Sequence, residues 1–175
     1  MKGYIQVYTG DGKGKTTAAL GLVMRALGAG LRVYIGQFMK KGSYSEFKFL
    51  SDLKKNIKEY DIKIEQFGAK RFIGRKPAAD DKQAAIKGFK RIKEVIDKGK
   101  YDLIILDEIN VVLHYKLLPI EEVVSVLKDK PAALELILTG RYAPAKIIKA
   151  ADLVTEMKQQ KHYYKKIRAR QGIEK

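Results

Sequence analysis

Residues 9–17 read TGDGKGKTT, and this short stretch decides the fold. It follows directly on an apolar run at residues 4–8 and directly precedes an amphipathic stretch. A strand, a glycine-rich turn that ends in Gly-Lys-Thr and a helix, in this order, predict a phosphate-binding loop. The glycines let consecutive backbone N–H groups converge on one anion, and the helix adds the positive end of its dipole. The alternative is a glycine-rich turn that merely opens a helix.

The polar side chains of this loop favour the phosphate-binding interpretation. Lys15 is expected to neutralise phosphate oxygens, and the Thr16 hydroxyl is placed to ligate Mg²⁺. The strict motif has a glycine seven residues before Thr16, where this chain has Thr9, and Lys13 adds a second cation within the loop. We therefore predict that the loop binds a triphosphate, and the residues expected to do so are Thr9, Gly10, Asp11, Gly12, Lys13, Gly14, Lys15, Thr16 and Thr17.

Length and composition predict a single globular domain over residues 1–175. The chain is 46% hydrophobic and 32% charged, and it is long enough to bury a full α/β core. It has no cysteine, which excludes disulfides, thiolate metal sites and a cysteine nucleophile. The first strand begins within four residues of the start, and no run approaches the roughly 20 apolar residues of a membrane span. We expect a cytoplasmic protein with neither a signal peptide nor a membrane partner.

The formal net charge of +16 has two interpretations. Positive charge speeds the association of anions and allows non-specific binding to nucleic acid. The basic residues are however spread along the chain, and no signature of a nucleic-acid-binding module accompanies them. A lysine-rich solvated surface is the preferred interpretation, and a nucleic-acid partner is not expected.

Short apolar segments alternate with helical patterns along the whole chain. Such alternation indicates a mostly parallel six-stranded sheet with helices on both faces, which is an α/β fold. We predict helices over residues 16–27 and 79–98, another that begins after Pro119, and a short one that begins at Pro144. The predicted strands are residues 4–8, 32–38, 62–67, 102–106, 134–139 and 152–157.

Two acids at the end of the fourth predicted strand complete a candidate nucleotide site. Asp107 and Glu108 follow the run LIIL, and this pattern typically holds Mg²⁺ opposite a phosphate-binding loop. If both residues stayed in strand geometry, their side chains would point to opposite sides and serve different purposes. A water-activating Glu108 would make the protein a nucleoside triphosphatase, whereas a different nucleophile would make it a transferase. The residues alone leave both open, and a non-enzymatic nucleotide sensor is a third possibility.

Two basic loops after predicted strands each carry an aromatic residue. Tyr44 lies in the loop after the second strand, and Phe72 lies in the loop after the third. Loops at the carboxyl ends of parallel strands line the ligand crevice of such sheets. Phe72 could equally pack against the core.

Motifs throughout the chain resemble the P-loop type ATP:corrinoid adenosyltransferase family. The resemblance includes the irregular threonine at position 9 and extends in order over nearly the whole chain. Its segments are residues 8–19 (YTGDGKGKTTAA), 37–40 (QFMK), 106–110 (LDEIN), 117–119 (LLP), 138–141 (LTGR), 151–157 (ADLVTEM) and 161–162 (KH).

The resemblance implies an activity and its substrates. Members of the family transfer the 5′-deoxyadenosyl group of ATP to the Co(I) of a reduced corrinoid and release triphosphate. ATP lies in reversed orientation, with the loop around its terminal phosphate, and Mg²⁺ assists. A homodimer and electron delivery by an acidic, flavodoxin-like reductase are further family expectations. We expect basic residues around the corrin loops, including Lys40 and Lys41, to steer such a reductase.

The resemblance also assigns residues. Lys15 is catalytic, Thr16 and Glu108 serve Mg²⁺ with support from Asp107, and Arg141 after the fifth strand binds ATP. Phe72 matches the first of two aromatics that displace the lower ligand of the corrinoid, and Tyr44 is a second candidate for corrinoid contact.

The chain departs from the family in several places. Gly74 stands where a second loop aromatic is usual, the chain has no tryptophan, and it ends in lysine where an aromatic is common. His162 is expected to be a structural residue, and His114 to lie on a helix surface. The runner-up function is a P-loop ATPase that acts on nucleic acid, supported by Glu108 beside Asp107 and by the net charge.

Overall fold

The computed structural model describes residues 2–42, 44–69, 77–163 and 167–174. Within these ranges strands and helices alternate along the chain, and the predicted strands are found within one residue at each boundary. The elements are β1 (Ile5–Thr9), α1 (Lys15–Gly28), β2 (Val33–Phe38), α2 (Ser45–Asn56), β3 (Ile62–Phe67), α3 (Ala79–Asp97), β4 (Leu103–Asp107), α4 (Ile109–His114), α5 (Ile120–Asp129), β5 (Glu135–Thr139), α6 (Ala145–Ala150) and β6 (Leu153–Glu156).

The six strands form one sheet in the order β3-β2-β4-β5-β1-β6, and every pair of neighbours is parallel. The predicted α/β fold is therefore confirmed, with a fully parallel sheet. Strands β2 and β4 are buried along their whole length because helices cover both faces of the sheet. Helices α1 and α2 pack on one face, and α3 to α6 pack on the other.

Close packing fixes α3 against β2 and β3, at one side of the sheet. A methyl group on Gly88 of α3 would lie 2.5 Å from Cγ of Phe67, and one on Gly36 of β2 would lie 2.7 Å from Cδ1 of Ile92. Both glycines therefore allow helix and strand to approach more closely than any larger residue would. This contact brings α3 close to the carboxyl ends of β2 and β3.

Helix α2 was not among the predicted elements. Its apolar stripe is weak, since Leu50 is its one buried residue while Phe49 of the same helix is 58% exposed. It also begins after Tyr44 without a side-chain cap, so the usual start signal is missing. His114 lies exposed at the end of α4, as expected. No helix in the described ranges is long and apolar enough to cross a membrane.

Candidate nucleotide and metal site

The glycine-rich loop connects β1 to α1 as the motif predicts. Gly10 and Gly14 both adopt positive φ, at 97° and 121°, which L side chains rarely tolerate. The loop also leans on the end of β6, because Gly12 N donates to Met157 O at 2.7 Å and Met157 N donates to Thr9 O at 2.8 Å. A methyl group on Gly10 would lie 2.4 Å from Met157 O. These glycines are thus required by the chain's own packing.

The first turn of α1 is open to an anion. Gly14 is its N-cap and has no side chain to bond the backbone N–H groups of the first turn. Lys15 begins the helix, is buried, and folds back so that Nζ donates to Gly12 O at 2.5 Å. Burial lowers the pKa of Lys15, while the Glu108 carboxylate opposes that shift. A partly desolvated ammonium beside uncapped N–H groups is an arrangement that favours a polyanion.

Asp107 is the centre of a buried polar network. Its Oδ1 accepts the hydroxyls of Thr16 at 2.8 Å and Thr139 at 2.7 Å. Its Oδ2 accepts Lys40 Nζ at 2.8 Å and Gln37 Nε2 at 3.3 Å. Both carboxylate oxygens of Asp107 therefore already accept hydrogen bonds. The Thr16 hydroxyl donates its hydrogen to Asp107, which leaves its oxygen lone pairs available to a ligand.

Glu108 does not continue β4. The chain turns at this residue, so the strand geometry that would point the Asp107 and Glu108 side chains to opposite sides does not apply. Its φ of 63° is left-handed, and its N–H donates to Thr139 Oγ1 at 3.0 Å. A methyl group on Gly140 would lie 3.2 Å from Glu108 Oε2, which places this carboxylate against the end of β5. Burial raises the pKa of Glu108, and the nearby Asp107 carboxylate raises it further. Among the described residues, none donates a hydrogen bond to the Glu108 carboxylate.

Lys40 forms a buried ion pair with Asp107 that the sequence did not predict. Met39 turns the chain with a φ of 57°, and a methyl group on Gly68 would lie 2.5 Å from Lys40 N, so β3 packs tightly on this turn. Burial alone would lower the pKa of Lys40, but the Asp107 carboxylate outweighs it and the pKa is raised. The expected reductase-steering role of Lys40 is wrong, because its ammonium is buried on Asp107. The neighbouring Lys41 remains exposed.

Three loop residues are engaged with the rest of the chain. Thr9 Oγ1 accepts Ala143 N at 3.2 Å, and Asp11 Oδ1 accepts Gln159 N at 3.1 Å. Lys13 turns its ammonium away from the loop to residues near the C-terminus.

The other predicted site residues lie around the crevice. Arg141 follows Gly140 and is exposed, and its charge reaches both Lys15 and Glu108. Tyr44 directly precedes α2, and its ring centroid lies 5.6 Å from Lys40 Nζ. Phe72, together with Lys70, Arg71, Arg75 and Lys76 of the same loop, lies outside the described residues.

The donor set suits Mg²⁺ better than a transition metal. No group of three or more His, Cys, Asp or Glu side chains that could hold a metal occurs in the described ranges. Mg²⁺ is instead usually held by one or two carboxylates together with phosphate oxygens and water. The Thr16 hydroxyl and the Glu108 carboxylate provide oxygen donors of this kind beside the phosphate loop.

Comparisons with known proteins identify the relatives of this chain and its family. An uncharacterized protein from Nostoc sp. is 38% identical over 93% of this chain, which spans only 45% of that relative. A corrinoid adenosyltransferase from Sinorhizobium sp is 36% identical over 99% of this chain and 80% of its own length. The structure of a KaiC-like protein from Pyrococcus horikoshii has a TM-score of 0.56 at 19% identity, over 92% of this chain and 75% of that one, so it shares the fold. The family described as ATP:corrinoid adenosyltransferase BtuR/CobO/CobP matches residues 1–174, and the chain belongs to that family.

Proposed function

We infer that this protein is a corrinoid adenosyltransferase, which transfers the 5′-deoxyadenosyl group of ATP to the Co(I) of a reduced corrinoid. Family membership over the whole chain supports the activity, and the open first turn of α1 beside Lys15 is the structural observation that carries it. An electron pair of Co(I) forms the bond to C5′, and the cobalt becomes formally Co(III). The C5′–O bond breaks, and its electron pair leaves with triphosphate.

The protein's main task in this reaction is to stabilise the leaving triphosphate. Co(I) is a strong nucleophile, so the chemistry needs no general base, and positioning and charge stabilisation remain. The positively charged Lys15 and the uncapped N–H groups of α1 offer preorganised donors to the developing polyanion. The reversed orientation of ATP expected from the family would place the terminal phosphate in this loop. C5′ would then be free to face the corrin.

Magnesium is proposed as the cofactor, held by Thr16 and Glu108. When bound, it would neutralise phosphate charge and so assist departure of the leaving group. Asp107 acts through Thr16, because both of its oxygens already accept donors from the chain. Glu108 offers the less engaged carboxylate, and desolvation disfavours its isolated charge until a cation is near.

The residues proposed to contact the corrin ring lie in the loops after β2 and β3. Tyr44 stands at the start of α2, next to the crevice, and is one candidate for contact with the corrin ring. Phe72 is proposed to displace the lower ligand of the corrinoid, and Arg141 to bind ATP, as the family implies. A homodimer and an acidic, flavodoxin-like reductase are likewise proposed.

One incubation tests the activity and separates it from the runner-up. The protein is mixed with ATP, Mg²⁺ and chemically reduced cobalamin, and the cobalt–carbon product is followed by its visible spectrum while phosphates are separated by ion exchange. We expect triphosphate that forms only with the reduced corrinoid. Corrinoid-independent ADP and phosphate would instead identify an ATPase.

Lys15→Ala is the matching variant for that assay. Losing a charge-assisted contact to the leaving polyanion should slow transfer about a hundredfold or more, which corresponds to roughly 3 kcal/mol. Lys116→Ala, on an exposed lysine beyond α4, controls for loss of one positive charge. Near-normal turnover in a folded Lys15→Ala protein would exclude the proposed site.

A further inference from the structure

The C-terminal segment, residues 167–174, contacts the phosphate loop through a compact charged cluster. Lys13 Nζ donates to Glu174 Oε1 at 2.8 Å and to Tyr163 OH at 3.1 Å. The guanidinium of Arg170 donates to both oxygens of Glu174, at 3.1 and 3.2 Å, and Arg170 N donates to Oε2 at 2.8 Å. The Tyr163 hydroxyl also donates to Glu174 Oε1. The carboxylate is thus surrounded by cationic and hydroxyl donors.

The same segment is fastened at a second point. Gln171 Nε2 donates to Ser45 Oγ at 2.7 Å, at the start of α2. Lys13 lies in the loop after β1 and Ser45 lies beyond β2, and the sheet order places β5 and β4 between those two strands. The segment therefore runs along the carboxyl edge of the sheet, where the nucleotide site is.

The cluster has the composition of an anion site. Lys13, Arg170 and the Tyr163 hydroxyl converge on one carboxylate, and the Glu174 side chain is only 16% exposed. These donors lower the pKa of Glu174, with Arg170 contributing most and Lys13 next. One donor belongs to the phosphate loop itself. A polyphosphate in that loop would present further anionic oxygens to the same lysine.

We propose that the Glu174 carboxylate competes with a bound triphosphate for Lys13. Binding of the triphosphate displaces this carboxylate from Lys13 and releases the C-terminal segment. The inference rests on the proposed function, because it takes the triphosphate to bind in the glycine-rich loop. Its ligand class is a polyphosphate, either that of ATP or the free triphosphate product. Displacement makes Lys13 available only when a ligand is present, and re-formation of the cluster favours product release.

Binding of MgATP and of inorganic triphosphate, measured by calorimetry, tests the competition. Glu174→Gln keeps the side-chain shape and removes the competing charge, so both dissociation constants should fall. We expect a decrease of about two- to fivefold, because a partly solvated ion pair contributes little free energy. Glu156→Gln is the matched control, since it removes an exposed carboxylate at the end of β6, paired with Lys158 at 3.6 Å and not with Lys13. It should change binding less than Glu174→Gln does.

A double-mutant cycle isolates the contact to Lys13. In a Lys13→Gln background no ammonium is left to compete for, so adding Glu174→Gln should leave both dissociation constants within about 1.5-fold. An equal gain in that background, or an equal gain from Glu156→Gln, would mean general electrostatics and would overturn the proposal. Unchanged or weaker binding in Glu174→Gln would overturn it as well.

Release of the segment has a direct optical readout. The chain contains no tryptophan, and Ile173 is 56% exposed, so Ile173→Trp places a single reporter on the segment. Saturation with Mg²⁺ and inorganic triphosphate should lower its fluorescence anisotropy. Constant or increased anisotropy would show that the segment stays or closes over the ligand, and the proposal would be wrong. Adenosyl transfer that is lost in Lys15→Ala would still support the proposed function in that event.

Discussion

Replacing Lys40 by methionine removes one partner of a buried ion pair and should destabilise the protein. The Lys40 side chain is 11% exposed and that of Asp107 is 1% exposed, so bulk water cannot solvate the Asp107 carboxylate once the ammonium is removed. Deleting one member of such a pair typically costs 3–5 kcal/mol, on the order of measured buried pairs. Asp107 keeps donors from Thr16, Thr139 and Gln37. We therefore expect a loss of about 2–4 kcal/mol in the free energy of unfolding.

Urea unfolding followed by circular dichroism measures this loss. Lys41→Met is the matched control, because Lys41 is the next residue and is exposed, and its effect should stay within about 0.5 kcal/mol. The double variant Lys40→Met with Asp107→Asn removes the stranded carboxylate charge. It should therefore be more stable than Lys40→Met alone. Additive losses, or a Lys40→Met protein as stable as its control, would refute the idea that an uncompensated buried charge causes the effect.

Three further predictions address the metal, the packing and the pH response. Glu108→Gln should raise the Mg²⁺ concentration for half-maximal transfer on the order of tenfold, and an unchanged midpoint would remove Glu108 from the metal site. Gly88→Ala forces a methyl group to 2.5 Å from a phenylalanine ring and should cost about 1–3 kcal/mol in thermal unfolding, whereas Gly21→Ala in α1, with open space around it, should stabilise by up to about 1 kcal/mol. Arg32 lowers the pKa of Asp102 to about 2, so this ion pair stabilises the fold above the unfolded pKa of Asp102, and the stabilisation declines as pH falls towards 2. Asp102→Asn should therefore lower the free energy of unfolding by about 1 kcal/mol or less at pH 7. A destabilisation that does not shrink between pH 4 and pH 3 would contradict this linkage.

The sequence predicted those parts of the fold that depend on local pattern. A sheet buried on both faces requires continuous apolar strands, and residues 103–106 show this plainly. Helix α2 escaped prediction because it buries little, with Phe49 exposed and Leu50 its one buried residue. Its position depends on packing against β3, and no local pattern encodes that contact.

The candidate site could be proposed from sequence where one short motif contains its residues. Lys15, Thr16 and the Asp107–Glu108 pair follow from two short motifs. Lys40 does not, because its partner Asp107 is 67 residues away and both are charged residues that a sequence would assign to the surface. The involvement of Lys13 with Glu174 spans 161 residues and is equally invisible in the sequence. Charges that pair across such separations can be identified only once the sheet order is known.

Backbone geometry at the strand ends explains why these charges converge. Met39 after β2 and Glu108 after β4 both adopt left-handed φ, at 57° and 63°, and Gly140 after β5 has a φ of 125°. Left-handed geometry in a residue other than glycine costs of order 1 kcal/mol or more, so the surrounding fold must maintain it. The turn at Met39 precedes the lysine that reaches Asp107, and the turn at Glu108 stops the strand so that its carboxylate lies against β5. Met39 and Glu108 lie next to the site, so the fold maintains backbone strain there and holds the lysine and the carboxylates in place before any ligand binds.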